Sequence, residues 1–136
     1  MLFRSMAITH HIEDDHVEIV IDGHFSTEEL FDGFEELLAA VGKNASSSDG
    51  EEGMSVHLLI NVTSSEELPP MGAVERVAGI IAQSSSGFSG RVAVLVGEKL
   101  RYGRARQLGA FLSGYGISSE PFYIRDEAIR WLKTNN

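Results

Sequence analysis

Thr63, Ser64 and Ser65 form a cluster of potential nucleophiles at the end of the apolar run in LLINVTSSEELPP. A serine or threonine nucleophile needs a base, an orienting acid and oxyanion donors. The surrounding residues supply no Gly-x-Ser-x-Gly elbow, so the three hydroxyls read first as a loop whose oxygens satisfy nearby backbone N–H groups, with Ser64 and Glu67 spaced as in a capping box. The histidines His10, His11, His16, His24 and His57 all fall in the first half, with Asp14 and Asp15 nearby. None is paired at His-x-x-x-His or another standard ligand spacing, so no metal site is expected. The adjacent His10 and His11 would point to opposite faces of a strand and could not chelate from one side. His57 lies inside an apolar strand, where a hydrogen-bonded structural histidine is expected.

The segment KLRYGRAR, residues 99–106, departs most from its background. Lys99, Arg101, Arg104 and Arg106 are four of only eleven basic residues in a chain of formal net charge −9. It follows an apolar strand and opens a helix, a position where α/β sheets often bind ligands and where anions are favoured. There is no Gly-x-Gly-x-x-Gly and no Walker sequence to point to a nucleotide. Glu28, Glu29, Asp32, Glu35 and Glu36 form an acidic stripe; those in the first turn suit the helix dipole and the others face water. No catalytic residue, metal ligand or cofactor is therefore assigned.

These groups are carried by 136 residues, enough for one domain with its own core, and 43% hydrophobic residues is ordinary for a globular protein. The absence of cysteine removes disulfides, thiol catalysis and thiolate metal sites, and suits a reducing, cytoplasmic setting. The acidic balance argues against nucleic acid or an anionic membrane surface as a general partner. No apolar run reaches signal-peptide length or the roughly 20 residues that span a bilayer.

Ala7–Ile12 and Val17–Asp22 alternate in polarity and predict a β-hairpin with Ile12 opposite Val17 and an apolar face of Ile8, Ile12, Val17, Ile19 and Ile21. Ser26 and Glu29 form a capping box that opens a helix with Leu30, Phe31, Phe34, Leu37, Leu38 and Val41 on one stripe, ending at Gly42. Residues 42–55 read as a polar loop. Val56–Val62 predicts a parallel strand covered on both faces. Pro69 and Pro70 lead into a helix carrying Val74, Val77, Ala78, Ile80 and Ile81. Arg91–Val96 is a further strand, Gly97–Gly103 a connection, and the next helix turns Ala105, Leu108, Phe111 and Leu112 inward before Gly114 and Gly116 end it. Pro121–Ile124 predicts the last strand, and Asp126 the cap of a terminal helix with Ala128, Ile129 and Leu132 inside and Trp131 at its edge. The order gives a single α/β domain over residues 1–136: a mixed, mostly parallel sheet of four or five strands, an N-terminal hairpin and four flanking helices.

VEIVIDGHFSTEEL after the hairpin, the central LLINV, RVAVLVGE and the closing FYIRDEAIRWLK together resemble the SpoIIAA-like branch of the STAS-type fold, whose topology is also similar to the CRAL-TRIO domain. The resemblance covers nearly the whole chain apart from residues 42–55 and implies the same fold, with no assigned activity. In regulatory relatives a phosphorylatable serine occupies an Asp-Ser-Ser-Gly-type turn. Here that turn reads Leu68-Pro69-Pro70-Met71-Gly72 and lacks both aspartate and serine, which argues against a phosphorylation switch.

The expected function is a non-enzymatic binding or regulatory module for a small amphipathic, lipid-like or anionic ligand, or for a protein partner, with a homodimer as a further form of assembly. Its expected ligand-binding rim is Thr63, Ser64, Ser65, Lys99, Arg101, Tyr102 and Arg104. The alternative is a small hydrolase-like enzyme pairing Ser64 or Ser65 with a histidine.

Overall fold

The computed structural model describes residues 8–13, 16–46, 57–65, 69–83, 90–97 and 99–133; the side chains of residues 41–46, Leu100 and Arg101 fall outside that description. The hairpin pairs β1 (Ile8–Ile12) with β2 (His16–Ile21) antiparallel, with Ile12 opposite Val17 as the alternation predicts. Its apolar face is buried along β2 but not at the tip, where Ile12 is 52% exposed. Helix α1 (Thr27–Ser46) follows, then β3 (His57–Asn61), α2 (Met71–Gln83), β4 (Val92–Leu95), α3 (Lys99–Ser113), β5 (Ser119–Phe122) and α4 (Arg125–Lys133).

The five strands lie in the order β1-β2-β3-β4-β5, and β2 to β5 are parallel. Each crossover joins sheet neighbours in the same direction. Crossovers of one hand place successive helices on one face, and α1, α2 and α3 do share a single core with Val17, Ile19, Leu58, Ile60, Val92 and Val94. The other face is covered by α4, which buries Ala128 and Leu132 against Leu59, Ala93 and Leu95. Strand residues alternate between these two cores as the two-residue period requires.

The capping box at α1 forms as the sequence predicts: the Ser26 N–H donates to Glu29 Oε1 at 2.8 Å and the Glu29 N–H to Ser26 Oγ at 3.1 Å. The helix does not end at Gly42. It runs to Ser46, because one glycine costs a helix only about 1 kcal/mol relative to alanine and Lys43 and Ala45 beyond it are good formers. The remainder of the expected polar loop, residues 47–55, lies outside the described residues, as does Val56 of the strand expected after it. Gly33 faces β1, and a Cβ there would stand 2.8 Å from Ile8 Cγ2.

Helix α3 begins at Lys99, so Lys99–Gly103 are helical and not a connection. Its end is as expected: Gly116 takes φ +80°, a conformation that glycine adopts freely, and the Ile117 N–H returns to the Leu112 carbonyl at 3.0 Å. Strand β5 starts two residues earlier than the alternation suggests. The parallel register with β4 sets Val92 opposite Ser119 and Val94 opposite Pro121, and an edge strand tolerates proline's missing N–H. Asp126 is not the cap of α4. The Ile124 carbonyl accepts the Glu127 and Ala128 N–H groups, each at 3.1 Å, and Asp126 and Glu127 occupy the first turn. Trp131 does sit at the helix edge, half-buried, tilted against Phe122 with ring centroids 5.7 Å apart.

Candidate functional site

Between the sheet and the helix layer, toward the carboxyl ends of β2, β3 and β4, lies a small cleft of about 80 Å³. Ile21, Ile60 and Val94 form its floor on the sheet. Phe25, Leu30 and Phe34 line it from α1 and the turn before it, Val74 and Val77 from α2, and Ala105 and Leu108 from α3. These positions follow from helical spacing, with each helix turning one apolar stripe toward the same floor. Nearly all the wall is hydrocarbon. Among the described residues, Ser65 and Arg104 are the lining residues with polar side chains.

Arg104 is held in place. Its Nε–H donates to the Pro69 carbonyl at 2.7 Å, and Nη1–H donates to Gln107 Oε1 at 3.2 Å. The first of these bonds ties the second turn of α3 to the entry of α2, and the second is made within α3. Among the described residues no recorded partner takes Nη2.

Ser65 belongs to a short loop fixed at several points. Its N–H donates to the Val62 carbonyl at 3.1 Å, and the Ser64 carbonyl accepts the Gly23 N–H at 2.8 Å. Asn61 closes the turn, accepting the Thr63 N–H at 3.0 Å and the Thr63 hydroxyl at 2.7 Å on the same oxygen, Oδ1. An asparagine oxygen bonded to the N–H two residues on is a turn-forming contact. Ser65 is buried, whereas Thr63 and Ser64 are exposed. The expected capping-box pair of Ser64 and Glu67 involves a residue outside the described residues; α2 itself starts at Met71, where the Pro70 carbonyl accepts the Ala73 and Val74 N–H groups.

The expected rim thus divides. Ser65 and Arg104 meet in the cleft. Thr63 and Ser64 are on the same loop but turn outward. Lys99 is exposed at the first residue of α3. Tyr102 is half-buried and stacks on Tyr123, centroids 5.1 Å apart and planes 10° from parallel. The Arg101 side chain falls outside the described residues.

A polar cluster that the residue pattern did not single out lies on the opposite face of the sheet. Glu18 is buried, and both its oxygens accept from Arg125: Nη1 donates to Oε2 at 2.9 Å and Nη2 donates to Oε1. Asn61 Nδ2 also donates to Glu18 Oε2, at 3.1 Å. The Arg125 hydrogen bonds hold the Glu18 carboxyl below its ordinary range against the opposing effect of burial, with Asn61 adding to the lowering. The sequence signal was a lone acid at the non-core register of VEIVI, which periodicity alone assigns to solvent. Among the described residues no group of three histidines or acids could hold a metal ion. His57 is structural as expected, its Nδ1 accepting the Arg91 N–H at 2.9 Å. No helix among the described residues is long and apolar enough to cross a membrane.

No protein-family model matches the chain, and no curated protein matches it in sequence. Its fold is similar to that of an uncharacterised protein of the DUF3478 family from Shewanella loihica PV-4, described as having a SpoIIAA-like fold. The two share 18% identity at a TM-score of 0.58 over 93% of this chain and 92% of that one. The fold is therefore SpoIIAA-like, as the sequence resemblance implies.

Proposed function

We propose that this protein is a non-enzymatic binding module whose cleft takes a small amphipathic ligand, apolar body inward and anionic head at Arg104 and Ser65. The observation that carries this reading is the lining itself: an almost unbroken hydrocarbon wall in which, among the described residues, only Ser65 and Arg104 have polar side chains. The Arg104 bonds to Pro69 and Gln107 fix that cation before any ligand arrives, which lowers the ordering cost of binding. The hydrolase alternative needs a base beside Ser65, and among the described residues no histidine or acid lines the cleft. A cysteine-free chain suits a reducing compartment, so the cytoplasm is the setting assigned here.

Calorimetric titration with dodecanoate, alongside native mass spectrometry of gently purified protein, tests the reading. Dodecanoate should bind the native chain. Arg104→Met should weaken binding about tenfold through loss of a charge-assisted contact, and Ala105→Trp should abolish it by filling the cleft. The reading fails if no co-purified species is seen and dodecanoate binds neither protein, or if Ala105→Trp binds as well as the native chain.

A further inference from the structure

Two faces of the sheet meet at one side chain. Asn61, the last residue of β3, lies on the face covered by α4, yet its Oδ1 shapes the Thr63–Ser65 turn whose final residue lines the cleft on the other face. Its amide nitrogen is engaged by Glu18 of β2, and Glu18 is gripped by both terminal nitrogens of Arg125 in the first residue of α4. An asparagine amide can rotate so that oxygen and nitrogen exchange places. The Glu18 carboxylate accepts only, so it fixes the nitrogen toward itself and the oxygen toward Thr63. The Arg125 pair keeps that carboxylate ionised and in place. From α4 to the cleft loop every link is a hydrogen bond between named atoms.

We propose that Asn61 is a positioning residue for the cleft, and that Arg125 and Glu18 set ligand affinity from behind the sheet by fixing its orientation. For affinity the proposal rests on the binding reading above; for loop order it stands alone. With the relay intact, Thr63, Ser64 and Ser65 keep the geometry in which the Ser64 carbonyl holds the Gly23 N–H and Ser65 faces the cleft. Without it the Asn61 amide is free to turn, the Thr63 N–H loses its acceptor, and the wall beside Arg104 loosens.

The test compares the native chain with Arg125→Met, Asn61→Ala and Arg91→Met. Arg91 gives the control: its guanidinium donates to the Trp131 carbonyl at 2.7 Å and lies 5.2 Å from the Trp131 ring centroid. Arg91→Met therefore loosens α4 without touching Asn61. Amide hydrogen exchange at Thr63, Ser65 and Gly23 is read first, without ligand. Arg125→Met and Asn61→Ala should speed exchange at Thr63 and Gly23 about tenfold, and Arg91→Met should not. Calorimetry with dodecanoate should then show Arg125→Met and Asn61→Ala weakened about three- to tenfold, with Arg91→Met unchanged. Unchanged exchange at Thr63 and Gly23 in Arg125→Met overturns the relay, as does an equal acceleration in Arg91→Met. If dodecanoate does not bind the native chain, the binding reading falls and the exchange data still decide the relay.

Discussion

Replacing Glu18 with glutamine keeps the side chain's shape and removes its charge. In the native chain both carboxylate oxygens accept from Arg125, and one also accepts from Asn61. The amide offers one oxygen in place of two, so one arginine bond is lost and the other becomes half-neutral. A hydrogen bond to a charged group contributes about 1.5–3 kcal/mol and a neutral one about 1 kcal/mol. The Glu18 side chain is 7% exposed but that of Arg125 is 47% exposed, so solvent recovers part of the loss. The expected destabilisation is then about 1–2 kcal/mol at neutral pH, measured by urea unfolding. The pH dependence has a definite sign. Arg125 lowers the Glu18 carboxyl below its ordinary value of 4.5 in the folded chain. Its contribution is therefore fully present above that value and is lost as pH falls through the lower folded-state pKa. The gap between native protein and Glu18→Gln should be constant from neutral pH down to about 5 and narrow toward about pH 3. A gap that stays constant over that whole range, or one below about 0.3 kcal/mol at neutral pH, would refute the assignment of Glu18 as an ionised, paired carboxylate.

Ser26→Ala removes one half of the reciprocal cap on α1 and should destabilise by about 1 kcal/mol in urea titration. Gly33→Ala brings a methyl group to 2.8 Å from Ile8 Cγ2; despite its better helix propensity it should lower stability by about 1 kcal/mol and increase amide exchange along β1. Gly116→Ala forces a Cβ into φ +80° and should lower the melting temperature by a few degrees, about 1 kcal/mol. Saturated carboxylates of increasing length should gain about fourfold in affinity per added methylene until the cleft is full, because each buried CH₂ contributes about 0.8 kcal/mol. A flat calorimetric series would place the chain outside the cleft.

The fold was legible where periodicity and punctuation agree. VEIVI, LLINV and RVAVLV alternate or run apolar with the lengths of strands, and Ser26 with Glu29 marks a helix start without ambiguity. Boundaries failed where local chemistry is neutral: Gly42 and Gly103 look like stops but sit inside helices, and β5 is set by its register on β4, a long-range constraint that the residues of β5 do not contain. The site was half legible. KLRYGRAR and the hydroxyl loop lie at the carboxyl ends of the strands, as expected for segments following β4 and β3, and Ser65 and Arg104 meet in the cleft. Its walls were read only as core, since a cleft residue such as Phe34 or Leu108 has the same spacing as any packed one. Glu18 and Arg125 are 107 positions apart, and only the folded sheet brings them together.

The strand order has a kinetic consequence. Every strand pairs with the strand next to it in sequence, so no pairing must await the insertion of a later segment between two earlier ones. The hairpin closes across a turn of a few residues, and each later strand joins an edge already formed, bringing its helix to the face that is waiting for it. The entropy of loop closure is met in steps of one crossover at a time, a topology that favours rapid folding for a mostly parallel sheet. Only α4, which covers the far face, has to wait for β3, β4 and β5 to be in place before it has anything to pack against.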